Sequence, residues 1–294
     1  MDNNRKFPLI LSGFWLKVIA LLTMTIDHIG AAYDILPMRY IGRLALPLFC
    51  FMIAEGAIHT KNFKKYALRL GIMASAISIA IIGSEYIPFF KNNGLSQRNE
   101  GVIFIDLLLG ALAVFLLRQK KWYIKLLAIL PFAYGITSYI AASLDCCRCY
   151  GEIWFVPFFM RTQYGWYAIT MTIGFYLAYL LSQAFINYRS SITGIDRDLY
   201  KDSNFERHTI NIISVLLLAI LTVINYFCDS YMSERFYCNY MLSVQLFAIV
   251  SGAFILLYNG RRGYNKKWFQ YGSYLYYPLH MAIIALVQVI QSLL

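Results

Sequence analysis

FWLKVIALLTMTIDHIGAAY, residues 14–33, is twenty residues long and almost wholly apolar, and it is interrupted by Lys17 and by the adjacent pair Asp27 and His28. A helix rising 1.5 Å per residue needs about 20 such residues to cross a hydrocarbon core roughly 30 Å thick. Runs of the same kind recur at 40–59, 66–88, 101–118, 122–142, 164–187, 208–228, 239–258 and 268–293. None alternates apolar and polar residues with a period of two, so barrel strands are excluded and helices remain, because lipid offers backbone N–H and C=O groups no partner outside the segment. The expectation is an all-α, polytopic transmembrane helical bundle of about nine spans, with residues 1–294 forming a single membrane domain.

Composition agrees. Of the 294 residues 60% are hydrophobic and 14% charged, and mean hydropathy is +0.56. Such a chain is neither disordered, collagen-like nor a soluble secreted scaffold. The 24 tyrosines suit membrane interfaces. A net charge of +11 could suggest a nucleic-acid partner, but the distribution of charge points to topology instead. Of the 26 Lys and Arg residues, only Arg39, Lys91, Arg98, Arg148, Arg161 and Arg235 fall in one set of alternate loops, and Arg43 lies inside a span. All the others fall on the opposite side, which by the positive-inside rule is the cytoplasm. The N-terminus is then cytoplasmic, the C-terminus outside, and no nucleic acid is expected. The first run lacks a small-residue cleavage site and is expected to be retained. Cys146, Cys147, Cys149, Cys228 and Cys238 fall in or beside outward loops, where disulfides are plausible and a metal is not expected; Cys50 reads as a small core residue.

A charge within a span costs at least about 2.5 kcal/mol, so each needs a partner, a water cavity or a chemical role. Asp27 and His28 in the first run, Arg43 and Glu55 in the second and His280 in the last stand out, with Asp106 and His59 as further candidates. Helical rise puts His28 and His280 at similar depths, roughly 20 Å and 18 Å from the cytoplasmic side. Arg43 enters from the outer side and can face the level of Asp27 and His28, whereas Glu55 and His59 belong nearer the cytoplasm. Asp27 and His28 are about 100° apart on a helix and cannot orient each other. Two readings stay open. In one, His28 is a general base in a polar cavity while Asp27 pairs with Arg43 or with another helix. In the other, the bridge and the histidines are helix glue. The basic stretches HTKNFKKYALR (59–69) and YNGRRGYNKKW (258–268) likewise suit an anionic ligand such as a nucleotide phosphate, or simply anionic membrane lipid; Asn259, Gly260 and Gly263 are the features the second alternative leaves unexplained.

LKVIALLTMTIDHIG (16–30), IGRLALPLFCFMIAEGAIHTKNFKKYALRL (41–70), YGWYAITM (164–171), QLFAIVSGAFILLYNGRRG (245–263) and YLYYPLH (274–280) together resemble the TraX family of membrane acetyltransferases, named for conjugative pilin acetylation. The blocks run in order through most of the chain, and correspondence is weakest at about 89–163 and 188–235. The resemblance implies an acetyl-CoA-dependent N- or O-acetyltransferase of the cell membrane, acting on an outward acceptor that is a pilin N-terminal amine or an envelope glycan. It implies His28 as base, with Asp27, Arg43 and His280 in the catalytic group and His280 as the alternative base. Lys61, Arg69, Asn259, Gly260, Arg262 and Lys266 would hold CoA phosphates, with Glu55 and His59 lining the entry. Direct transfer is favoured over an acetyl-histidine intermediate. The competing class is a proton-coupled small-solute transporter, since the same buried ionisable residues describe proton relays. An oligomer is open.

Overall fold

The computed structural model describes residues 8–92, 101–146, 155–202, 204–236 and 242–293, and among these every regular element is helical. In chain order these are α1 (Gly13–Ala32), α2 (Leu36–Gly42), α3 (Ala45–His59), α4 (Phe63–Tyr86), α5 (Pro88–Asn92), α6 (Ile103–Leu117), α7 (Trp122–Leu126) and α8 (Ile129–Cys146). They continue with a 3₁₀ turn at Phe158–Met160, α9 (Trp166–Thr193), α10 (Arg197–Asp202), α11 (Phe205–Phe236), α12 (Leu242–Leu246), a 3₁₀ segment at Phe247–Ser251, α13 (Gly252–Leu256) and α14 (Lys267–Leu293).

Among the described residues each of the nine apolar runs contains helix, but they are not nine equal spans. Among the described residues seven segments are long and apolar enough to cross a membrane: Gly13–Ala32, Leu36–His59, Phe63–Tyr86, Trp122–Asp145, Trp166–Thr193, Phe205–Glu234 and Lys267–Gln291. The fourth run becomes α6, whose 15 residues rise only about 22 Å. The eighth becomes the broken series α12, 3₁₀ and α13, in which Ala248, Ser251 and Gly252 are buried. Hydropathy cannot see this break. Irregular backbone is tolerated at membrane depth where protein encloses it, and Gly252 lies directly against Val215 of α11.

Local signals set the helix ends. Asn62 accepts a hydrogen bond from the Lys65 N–H and caps α4; α9 starts after Gly165 at φ 58° and stops at Gly194 in the left-handed region. α6 is the hub: it packs on α3, α4, α8 and α9, its Ala111, Ala113 and Val114 are fully buried, and Gly110 admits the Thr172 side chain of α9. Cys50 is buried in α3, its thiol donating to the Ala168 carbonyl. Among the described residues Cys50 and Cys228 are free thiols. Cys147, Cys149 and Cys238 and the Cys146 side chain lie outside the described residues.

The YNGRRG segment is not a loose loop. Asn259 N–H donates to the Leu11 carbonyl at 2.8 Å, and the Gly13 and Phe14 N–H groups donate to the Arg261 and Arg262 carbonyls. Residues 257–262 are thereby clamped onto the start of α1. Gly260 and Gly263 have φ of 74° and 68°, and a Cβ on Gly263 would strike the Ser12 hydroxyl. Glycine is needed there for the turn itself.

Candidate active site

The start of α1, the end of α3, the start of α4, the start of α11 and the 258–270 region converge at one end of the bundle, bringing Lys17, Lys61, Arg69, Arg207 and Arg262 around a common mouth. From that basic end a cavity of about 890 Å³ penetrates between the helices, near the top of the usual range for ligand pockets. Its middle is apolar, with Leu21, Met24, Phe49, Met52 and Leu107 on its walls. Its far end is lined by Asp27, His28, Gly42, Gln163, Tyr164 and Tyr277. Gly13 and His28 both line it and are fifteen residues apart on one helix, so the cavity extends about 22 Å along α1.

At the far end Asp27 is held by two cations. Arg43 Nη2 lies 3.2 Å from Asp27 Oδ1, and Arg39 Nη1 lies 3.0 Å from Asp27 Oδ2. Arg39 also donates to the Asp27 carbonyl, and Arg43 donates to Tyr164 Oη and Gln245 Oε1. Gly42 makes the arrangement possible, because any Cβ there would overlap the Asp27 carboxylate. The sequence pairing of Asp27 with Arg43 is present. Arg39 was missed, since it had been assigned to an outer loop; its four-residue spacing from Arg43 on a helical turn was the available signal.

His28 lines the cavity, and the His280 ring stands edge-on to it with centroids 5.0 Å apart. His280 Nδ1 is 2.8 Å from the Tyr276 carbonyl oxygen, which can only accept, so Nδ1 carries a hydrogen. Its Nε2 is buried with no hydrogen-bond partner among the described residues. Stacking on Tyr276, whose hydroxyl is 2.7 Å from Thr25 Oγ1, fixes the ring.

Asp106 is fully buried and accepts the N–H groups of Gln163 and Tyr164 at 2.7 and 3.3 Å. It pins the segment between α8 and α9 that forms part of the cavity's end. Arg161, also buried, binds Asp145 at 2.6 Å and holds the same segment from the other side.

At the basic end Glu55 Oε1 accepts from Arg207 Nη2 at 2.8 Å, and Glu55 Oε2 is 3.8 Å from His59 Nδ1. Arg207 lies over the Tyr258 ring at 4.4 Å, so this cation is engaged by acid and aromatic partners. Sequence reading counted Arg207 among loop cations, and nothing local marks its contact with Glu55, 152 positions away. Of the residues the sequence reading assigned to the donor, Lys61, Arg69, Gly260, Arg262, Glu55 and His59 line the cavity. Asn259 and Lys266 are not on its wall. The Asn259 side chain accepts the Arg261 N–H, and Lys266 lies over the Tyr264 ring. Arg43 and His280 stand one layer behind the wall. Among the described residues no three His, Cys, Asp or Glu side chains gather as metal ligands.

Comparison with known proteins bears on this arrangement. A family model described as TraX protein matches residues 12–288, nearly the whole chain. The chain belongs to the TraX family. It is 33% identical over 152 residues to a probable fimbrial assembly protein FimC, serogroup H1, of Dichelobacter nodosus, the match covering 47% of this chain and 57% of that protein. It is 34% identical over 96 residues to an uncharacterized protein of Rickettsia prowazekii (strain Madrid E), covering 26% and 37% of the two. The chain thus spans about half the length, or less, of the curated relatives it matches. No solved structure matches it.

Proposed function

We propose that this TraX-family protein is an acetyl-CoA-dependent acetyltransferase of the cell membrane, taking its donor from the cytoplasm and acetylating an amine or hydroxyl presented at the outer face. The observation that carries the reading is the continuous cavity joining the cationic mouth to His28. Among the described residues Lys17, Lys61, Arg69 and Arg262 have no carboxylate partner within ion-pair distance, in contrast to Arg207, Arg39 and Arg43. A mouth of cations without carboxylate partners, a mostly apolar throat and a half-buried imidazole match, in order, the phosphates, arm and thioester of acetyl-CoA. The CoA arm is on the order of 15–20 Å long, comparable with the cavity's extent along α1. The basic end faces the cytoplasm under the positive-inside rule.

In this reading the acceptor nitrogen or oxygen attacks the thioester carbonyl carbon as His28 takes its proton. The new C–N or C–O bond forms, the C–S bond breaks, and the proton passes from His28 to the departing thiolate, releasing CoA thiol. Asp27, held by Arg39 and Arg43, locks α2 against α1 beside the imidazole. His280 orients His28 and is the neighbouring site for its proton. The acceptor is an outward-facing pilin amine or envelope glycan; the similarity to a probable fimbrial assembly protein of Dichelobacter nodosus favours a fimbrial one.

Inside-out vesicles carrying the protein are given acetyl-CoA labelled in the acetyl group. Label appearing on luminal protein or glycan, and lost in His28→Ala, supports the proposal. Uptake of an intact solute with no label transfer would instead mark a transporter.

A further inference from the structure

Among the cations of the mouth, Lys17 stands on the same helix as His28. Lys17 lies on the second turn of α1 and lines the cavity. Its Nζ sits 5.8 Å from the centroid of the Phe269 ring. Among the described residues no carboxylate is within ion-pair distance of it, and Arg69 lines the same cavity. Two cations facing one apolar-walled space repel each other unless an anion lies between them. A lysine reaching for lipid headgroups would turn outward, whereas this one is on the cavity wall.

Lys17, Leu21, Met24 and His28 recur at i, i+4, i+7 and i+11, and all four line the cavity. Eleven residues at about 100° each come within about 20° of three full turns, so Lys17 and His28 share one face of α1. Their axial separation is about 16 Å. One rigid helix therefore presents an ammonium, an apolar stretch and an imidazole in a line.

We infer that Lys17 binds the pyrophosphate of the donor and that α1 is a ruler, setting the distance from that pyrophosphate to the thioester carbonyl at His28. The inference rests on the acetyl-CoA reading above. It names Lys17 as the specificity residue that separates a pyrophosphate-bearing thioester from a shorter one.

The test uses the purified full chain, wild type and with Lys17→Met, Lys17→Gln or Lys17→Arg, and measures binding of CoA, of ADP and of S-acetylpantetheine, which has the arm but no phosphate. The expected result is CoA and ADP binding weakened about 10- to 100-fold in Lys17→Met and Lys17→Gln, as for loss of a hydrogen bond to a charged group. Lys17→Arg should restore most of it, and S-acetylpantetheine should bind all four proteins alike. Unchanged CoA binding in Lys17→Met and Lys17→Gln overturns the inference and leaves the parent reading intact. Equal weakening of CoA and S-acetylpantetheine overturns it too, since the cavity itself would then have been damaged. A wild-type chain that binds no CoA overturns the parent reading and this inference with it.

Discussion

His28 and His280 stand edge to face with their ring centroids 5.0 Å apart, one on the first long helix and one on the last. Only His28 of the two lines the cavity. The roles are therefore expected to separate on mutation. His28→Ala should lower acetyl transfer by about 10²- to 10⁴-fold, the usual contribution of a positioned general base, with donor binding retained. His280→Gln should cost less, and the double variant should fall short of the product of the two single losses, because contacting residues couple. Single-turnover transfer rates in the four proteins would decide it. Full additivity would mean that His280 acts independently of His28.

Asp27 holds two guanidinium groups, and its removal takes the carboxylate from both. Breaking a buried ion pair costs about 3–5 kcal/mol. Because these groups remain slightly exposed, at 11–20% of their side-chain surface, the lower end is expected for Asp27→Ala. Arg39→Ala alone should cost less, since Arg43 still neutralises the acid. Thermal unfolding in detergent should rank Asp27→Ala below Arg39→Ala and wild type. An Asp27→Ala variant as stable as wild type would contradict the pairing.

These two sites also mark what the sequence made legible. The requirement that an acid inside a span find a base put Arg43 among the partners open to Asp27. The same requirement applied to Arg207, but its partner Glu55 lies on a helix remote in sequence, and its count as a loop cation fitted equally well. The helical rise put His28 and His280 at one depth, and they are indeed neighbours. The same arithmetic could not reveal that α12, the 3₁₀ segment and α13 break what reads as one apolar run, because an enclosing protein wall supplies what lipid cannot. Asn259 and Gly263 read as a phosphate cradle, yet their local geometry is spent on a turn clamped to α1, a contact between opposite ends of the chain.

Gly42 and Gly71 give a matched comparison of glycine roles. A Cβ at Gly42 would overlap the Asp27 carboxylate, whereas at Gly71 it would meet nothing within 4 Å. Gly71→Ala on α4 should therefore be neutral or stabilising by up to about 1 kcal/mol, the helix-propensity gain. Gly42→Ala should displace Asp27 from its arginines and lower both melting temperature and transfer rate. Equal behaviour of the two variants would mean that the approach of α2 to Asp27 is looser than the structure has it.

The mouth can be separated from its basic surroundings by comparing Arg262, which lines the cavity, with Lys266, which does not. Both carry the same charge and lie four residues apart, so a diffuse attraction to anionic donor or lipid would respond similarly to the loss of either, within a screening length of about 10 Å at 0.1 M salt. A contact with donor phosphate would not. Arg262→Gln should raise KM for acetyl-CoA by about tenfold with kcat nearly unchanged, the signature of uniform binding lost. Lys266→Gln should change KM by less than about twofold, since a rim charge acts mainly on encounter. Measured across a salt series, the Arg262→Gln deficit should persist at high ionic strength, because a direct phosphate contact is screened far less than an exposed long-range attraction. Equal deficits that both vanish with salt would reduce the mouth to a positively charged surface and remove Arg262 from the donor site.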